Sequence, residues 1–310
     1  MKPTITIKLI VLISVWFTFY IVTGSTHYNS HKSHHHQEIH PTNISTKELR
    51  KVSEEIFNKF SNNYYRYANI NIQSKRDAPD AKDEAPEPLF NAPKDLFKMS
   101  LTIDLLCKLY DNYEIDSLKA EDITSSETAE EDQFIDALLE TDLMMHTMDF
   151  LAKKEYFSKN HEVYRNVLKK IWFHPYARSN VTRAVGSSGF EHVFVVEKNR
   201  HHITGLHNWI FFASREYDNK ANYLGFIKIK RLADKAAVMK FYLSYMNKIK
   251  LSSMFVGTPP EFDFALYTLC FYARPSKPCD VLLGGEKIRI QSYVQHANDD
   301  KLVSSAYPRI

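Results

Sequence analysis

The apolar pattern of this chain changes period once, at His174-Pro175, and that change limits its fold more than any other feature. Before it, apolar residues recur at steps of three and four. In "STKELRKVSEEIFNKFSNNYYRYA", Leu49, Val52, Ile56 and Phe60 share one face, which predicts a helix from Ser45. Helical segments follow at 95–112 and 133–154, and "NHEVYRNVLKKIWF" adds another. In 133–154, Phe134, Leu138, Leu139, Leu143 and Met148 form a stripe that reads as core rather than as a cofactor box. After Pro175, short β-type runs dominate at 190–197, 206–213, 223–231, 252–257, 281–290 and 303–307, punctuated by Gly and Pro. One helix is predicted among them at 233–247. Another follows "GTPPEF", where Pro-Pro-Glu suits a first turn, with Glu261 and Asp263 serving its start. The expected fold class is α+β, with a helical part over 45–175 and a sheet-rich part over 176–310.

The N-terminus reads differently. Lys2 precedes an apolar run from Ile5 to Val22, and small residues at Val22-Thr23-Gly24 suit cleavage, so residues 1–24 are expected to be a signal peptide. A signal anchor is the alternative. Residues 25–44, with "HKSHHHQEIH" and six histidines counting His27, read as a solvated linker; metal binding is the sharper reading. Sequons at Asn43 and Asn180 agree with secretion. "SKRDAPDAKDEAPEP" over 74–88 reads as an exposed loop, as does the acidic stretch at Asn298, Asp299 and Asp300. The three cysteines make no disulfide framework. Cys270 with Cys279 is the local candidate for a bridge, a free thiol pair is the other reading, and without a Cys-x-x-Cys no structural zinc site is expected. A formal charge of +3, from 40 basic and 37 acidic residues, excludes a global basic field, so any nucleic-acid contact must come from a local patch.

One stretch places ionisable side chains inside apolar runs. "GFEHVFVVE" and "GLHNWIFF" are separated by the polar "KNRHHIT". An antiparallel hairpin turning at Asn199-Arg200 would set His192 opposite His207, with Cβ atoms about 5 Å apart on one face. Two imidazoles so placed suit RNA cleavage by its own 2′-hydroxyl, which needs a base at the nucleophile and an acid at the leaving oxygen near neutral pH. Two unrelated, satisfied histidines are the alternative. His201 and His202 fall in the turn and read as solvated.

"SSGFEHVFVVE", "TGLHNWIFF", "LGFIKIK", "FVGTPPEFDFALYTLCFYARPSKPC", "SSAYP" and, in the helical part, "LYDNYEIDSLKAEDITSSETAEEDQF" together resemble the poly(U)-specific endoribonuclease (EndoU) family, over roughly Ser45 to Pro308. The resemblance implies an EndoU-like fold with residues 176–310 as its catalytic part. It implies cleavage of single-stranded, uridine-containing RNA on the 3′ side of uridylates, leaving a 2′,3′-cyclic phosphate, with stimulation by Mn²⁺. It assigns His192 and His207 to the catalytic histidines, Glu191 and Glu197 to the family's glutamates, and Ser305 and Tyr307 to uracil binding. The glutamates have two readings, orienting the imidazoles or collecting a divalent cation, and no spacing identifies the metal's ligands.

One element departs from the pattern. The catalytic lysine should stand eight residues before Gly257, where this chain has Ile249 flanked by Lys248 and Lys250. Lys250 is preferred because its distance from His192 resembles the family's spacing. Lys248 shares its strand parity and stays the alternative. The expected protein is a secreted endoribonuclease, monomeric and without stable membrane association after signal cleavage. If neither lysine reaches the phosphate, it is instead a weakened relative acting as an extracellular RNA-binding or interaction protein.

Overall fold

The computed structural model describes residues 42–60, 64–76, 82–178, 183–297 and 299–310. The expected signal peptide, nearly all of the His-rich tract, the Asn180 sequon and Asn298 lie outside them. Among the described residues no helix is long and apolar enough to cross a membrane.

Side-chain caps set the helix starts. Ser45 and Glu48 form a reciprocal capping box on α1 (Thr46–Lys59), whose Leu49, Val52, Ile56 and Phe57 are buried. A short α2 (Tyr64–Tyr67) and α3 (Leu101–Lys108) follow. Segment 133–154 is two helices rather than one. α4 (Ser125–Leu139) starts from a Thr124–Glu127 capping box and ends at Glu140; Thr141 then caps α5 (Asp142–Lys153) by accepting from the Met144 N–H. Asn160 caps α6 (His161–Phe173).

The second half holds short pairs β1 (Tyr176–Ala177) with β2 (Val185–Ser187), and β3 (Glu197–Lys198) with β4 (Ile203–Thr204). It also holds α7 (Gly189–Phe194), α8 (Trp209–Tyr217) and α9 (Pro260–Ala273). One antiparallel sheet is β5 (Ala221–Leu232), β6 (Ala236–Tyr245) and β7 (Lys248–Val256), in that order. The other is β8 (Pro278–Leu283), β9 (Glu286–Ala297) and β10 (Asp300–Arg309), with β9 central. α9 is buried on nearly every side. Trp172 of α6 donates to its Thr268, 3.0 Å away, and Ser53 of α1 exchanges hydrogen bonds with the Leu282 backbone of β8, so helical and sheet-rich parts share one core.

Several local expectations are overturned. The run 233–247 is a tight turn and the central strand β6, not a helix. Its Ala, Lys and Met favour a helix, but ladders to β5 and β7 on both sides override that preference. The apolar cores of 190–197 and 206–213 are the helices α7 and α8, and the expected hairpin shrinks to β3–β4, paired Glu197↔Thr204 and Lys198↔Ile203. The flanks of 74–88 are not solvated throughout: Lys75 bridges to Phe226, and Arg76 is buried with its guanidinium 4.5 Å from the Tyr242 ring centroid. Asp300 begins β10 rather than lying in a loop. Cys270 and Cys279 form a disulfide from the end of α9 to β8. Cys107 is free, and burial pushes its thiol pKa up to about 12, so it is an inert structural thiol.

Candidate active site

α7 exists because Ser188 accepts from the Glu191 N–H and caps six residues too few to show a helical period. After β4 the chain returns past α7. The Leu206 N–H donates to the His192 carbonyl (3.0 Å) and the His207 N–H to that of Val193 (2.9 Å). This approach requires Gly205: its φ is +72°, and a Cβ there would lie 1.9 Å from the His192 oxygen. The main chain thus brings the two imidazoles to centroids 5.9 Å apart, without the expected ladder.

Both rings are held through Nδ1. His192 Nδ1 lies 2.6 Å from Glu197 Oε2, and His207 Nδ1–H donates to the Ser253 carbonyl of β7 at 3.0 Å. That leaves Nε2 of each ring without a hydrogen-bond partner among the described residues. Glu197 is fully buried, with Arg178 Nε 2.8 Å from Oε2. Burial would raise its pKa, but the His192 and Arg178 charges bring it below the ordinary carboxylate range. Burial lowers the pKa of His192, against the opposing pull of Glu197. Burial also lowers that of His207, which drops well below the ordinary imidazole value because the Lys250 and His192 charges add to the effect and only the Ser253 bond opposes it.

The rings open into a cleft of about 640 Å³ between the two sheets, where Ser253 Oγ of β7 donates to the Pro308 carbonyl beyond Tyr307 of β10. Lys250 lines this cleft, and burial lowers its pKa to about 8. Lys248 lies two residues further out on the same strand, beside the Met246-Asn247 turn, and does not line the cleft. Ser305 and Tyr307 also line it. Among the described residues the buried Ser305 hydroxyl has no hydrogen-bond partner, and the Tyr307 ring stacks on His207 with centroids 4.7 Å apart.

Glu191 goes elsewhere. Its carboxylate is buried with neither oxygen in a well-formed hydrogen bond among the described residues, and it lines a small separate pocket with Glu121, Glu127 and Glu131. Burial pushes its pKa far up, helped by the charges of Glu197 and Glu121, while burial brings Glu131 up to about 7. The structure therefore brings Glu197, and not Glu191, to the imidazoles. Three residues of the cleft were missed from sequence. Arg178 ties Glu197 to the Ser304 hydroxyl of β10 (2.9 Å), Lys240 faces the cleft from β6, and Tyr293 is Ser305's cross-strand partner. None stands in a recognisable motif; only the β-pairing exposes the last two.

A model of the family described as Endoribonuclease XendoU matches residues 48–308. A bovine uridylate-specific endoribonuclease is 34% identical over 85% of this chain, and the match spans 65% of the relative, just under two thirds of its length. A Drosophila melanogaster relative, uridylate-specific endoribonuclease EndoU, is 35% identical over 77% of this chain and 75% of its own. Among solved structures, that of XendoU, described as a splicing-independent snoRNA-processing endoribonuclease, superposes with a TM-score of 0.66 at 31% identity, covering 84% of this chain and 96% of the other. With the family pattern running through both halves of the fold and across the cleft, this chain belongs to the XendoU family of endoribonucleases.

Proposed function

We propose that the protein is a secreted endoribonuclease that cuts single-stranded RNA after uridylates, leaving a 2′,3′-cyclic phosphate. The observation that carries this reading is the pair of imidazoles, each fixed at Nδ1 and free at Nε2, beside Lys250 in one cleft. His207 donates from Nδ1, so its neutral form keeps a lone pair on Nε2, and its depressed pKa favours that form. It takes the proton of the 2′-hydroxyl. The 2′-oxygen bonds to phosphorus, the P–O5′ bond breaks, and His192 gives its proton to O5′. Glu197 supports the protonated His192, and the Lys250 ammonium balances the charge gathering on the phosphorane oxygens. Lys250 in the cleft favours this reading over that of a weakened, binding-only relative.

Glu197→Gln tests the acid. It removes the carboxylate that opposes burial at His192, so the imidazole pKa falls further and the protonated acid is lost at lower pH. The alkaline limb of the kcat/KM–pH profile should move down, and by more than the acid limb set by His207, which feels Glu197 only through the charge of His192. An unmoved alkaline limb would take the acid role from His192.

Ser305 offers its unpartnered hydroxyl to the uracil edge. Ser305→Ala is expected to lower the ratio of cleavage after U to cleavage after C by roughly 3–10-fold, the worth of one hydrogen bond. The check is competition between two oligonucleotides that differ only in that base; an unchanged ratio places base reading elsewhere.

Secretion is supported by the Cys270–Cys279 bridge, which suits an oxidising compartment, and by the exposed Asn43 sequon. For the Mn²⁺ that the family implies, Glu121, Glu131 and Glu191 present the all-oxygen donor set a hard cation prefers, with orphaned oxygens on Glu191. Among the described residues no three metal-binding side chains already form a cage, so these carboxylates would have to close on the ion. Bound there, the metal would supply positive charge that keeps them ionised. Mn²⁺ should raise Tm in the wild type and not in Glu191→Gln; an equal rise in both would move the metal site away from this pocket.

A further inference from the structure

A second groove, of about 450 Å³, opens from the catalytic cleft, and Arg309 and Ile310 line both. Its walls carry Arg50, Lys228, Lys230, Lys287 and Arg289 as well, against one acidic side chain, Asp280. Asp280 pairs with Arg289 at 2.8 Å, and Lys230 pairs with Glu286 at 2.8 Å. Among the described residues no carboxylate pairs with Lys228, Lys287 or Arg309.

The β-pairing sharpens the point. Arg309 stands directly opposite Arg289, and Lys228 directly opposite Lys240, which itself faces the cleft. Like charges directly opposed on a ladder destabilise a sheet. One pair lies in the groove and the other joins the groove to the cleft, so both suit a polyanion that runs from one to the other. On β10, side chains on one face alternate along the strand, so Ser305, Tyr307 and Arg309 form a continuous row out of the cleft. The groove lining holds no aromatic ring on which a base can stack.

We propose that this groove is an extended subsite for the phosphodiester backbone of the same RNA strand, away from the scissile uridylate and indifferent to base sequence. The inference rests on the reading of the cleft as an RNA-cleaving site. An acidic protein is the less favoured partner, because the groove runs into a cleft that would already hold RNA. The subsite makes the enzyme length-selective: cations that touch only distant phosphates act on KM and leave turnover alone.

The test is the double variant Lys228→Gln/Lys287→Gln, both at exposed positions outside the catalytic set, with unchanged Tm as the check on folding. Two substrates are compared, a uridine-containing dinucleotide and a dodecanucleotide with one central uridine. The variant should raise KM for the dodecanucleotide at least about fivefold and lower the slope of log KM against log salt by about 1.4, some 0.7 for each single-strand phosphate that is no longer neutralised. Its kcat, and all constants for the dinucleotide, should match wild type. Equal effects on both substrates, or none on either, would overturn the subsite. If wild type cleaves neither substrate, the cleavage reading fails by itself; fluorescence anisotropy with a 2′-deoxyuridine dodecanucleotide then decides the groove, where weaker binding by the variant supports it and equal binding overturns it. Poly-glutamate that displaces the oligonucleotide as well as poly-uridylate does, at equal charge concentration, would also overturn it in favour of an acidic-protein site.

Discussion

His207→Ala and His192→Ala are each expected to lower single-turnover cleavage of a uridine-containing oligonucleotide by roughly 10²–10⁴-fold, the usual contribution of a positioned acid or base. The two losses should differ in character. Without His207 nothing in the cleft is poised to take the 2′-hydroxyl proton, and exogenous imidazole should restore part of the rate, most effectively above its own pKa. Without His192 the defect lies at the leaving oxygen. A substrate whose leaving group needs no proton, such as a uridine 3′-aryl phosphate, should therefore be cut almost normally by His192→Ala and still poorly by His207→Ala. Equal rates for both variants on the activated substrate would refute the division of roles. Tm serves as the folding check for both, because His192→Ala leaves the buried Glu197 carboxylate to Arg178 and Thr204, and His207→Ala removes the ring on which Tyr307 stacks.

Lys250→Ala should cost about 2.7–4 kcal/mol of transition-state stabilisation, roughly 10²–10³ in turnover, with little change in binding. Charge builds on the phosphorane oxygens only during reaction, so the ammonium is worth more there than in the ground state. Lys248→Ala should stay near wild-type turnover, since that side chain does not line the cleft. Single-turnover rates at saturating RNA, at two salt concentrations, separate the cases. A salt-dependent loss of binding shared equally by the two variants would reduce both lysines to general attraction of RNA. A collapse confined to Lys248→Ala would transfer the role to it.

The division into a helical front and a sheet-rich rear is legible in the sequence because periodicity over long segments survives tertiary packing. The meeting of His192 and His207 is legible too, but for the wrong reason. The apolar pattern suggests a ladder register where a capped six-residue helix and a returning loop do the work. The usable signals are polar ones: Ser188-x-x-Glu191 and the Asn208 cap that accepts from the Phe211 N–H both announce helix starts inside runs that hydrophobicity alone reads as strands. The choice between Lys248 and Lys250 is open in sequence, since parity is shared, and depth along β7 separates them. Arg178 and the companions of Glu191 are invisible there. Their role comes from proximity to residues far along the chain, which no local pattern encodes.

The stacking of Tyr307 on His207 has a consequence for anyone who wishes to re-target the proposed cleavage. One aromatic ring at once borders the proposed uracil pocket and props the group assigned to proton removal. Library selection at position 307 for a different nucleobase will thus meet a trade-off, because each new side chain resets the tilt of the imidazole along with the shape of the pocket. Position 305 carries no such coupling, since its hydroxyl has no hydrogen-bond partner among the described residues and does not touch the imidazole. Altered preference at full speed is to be sought there first, with 307 left aromatic.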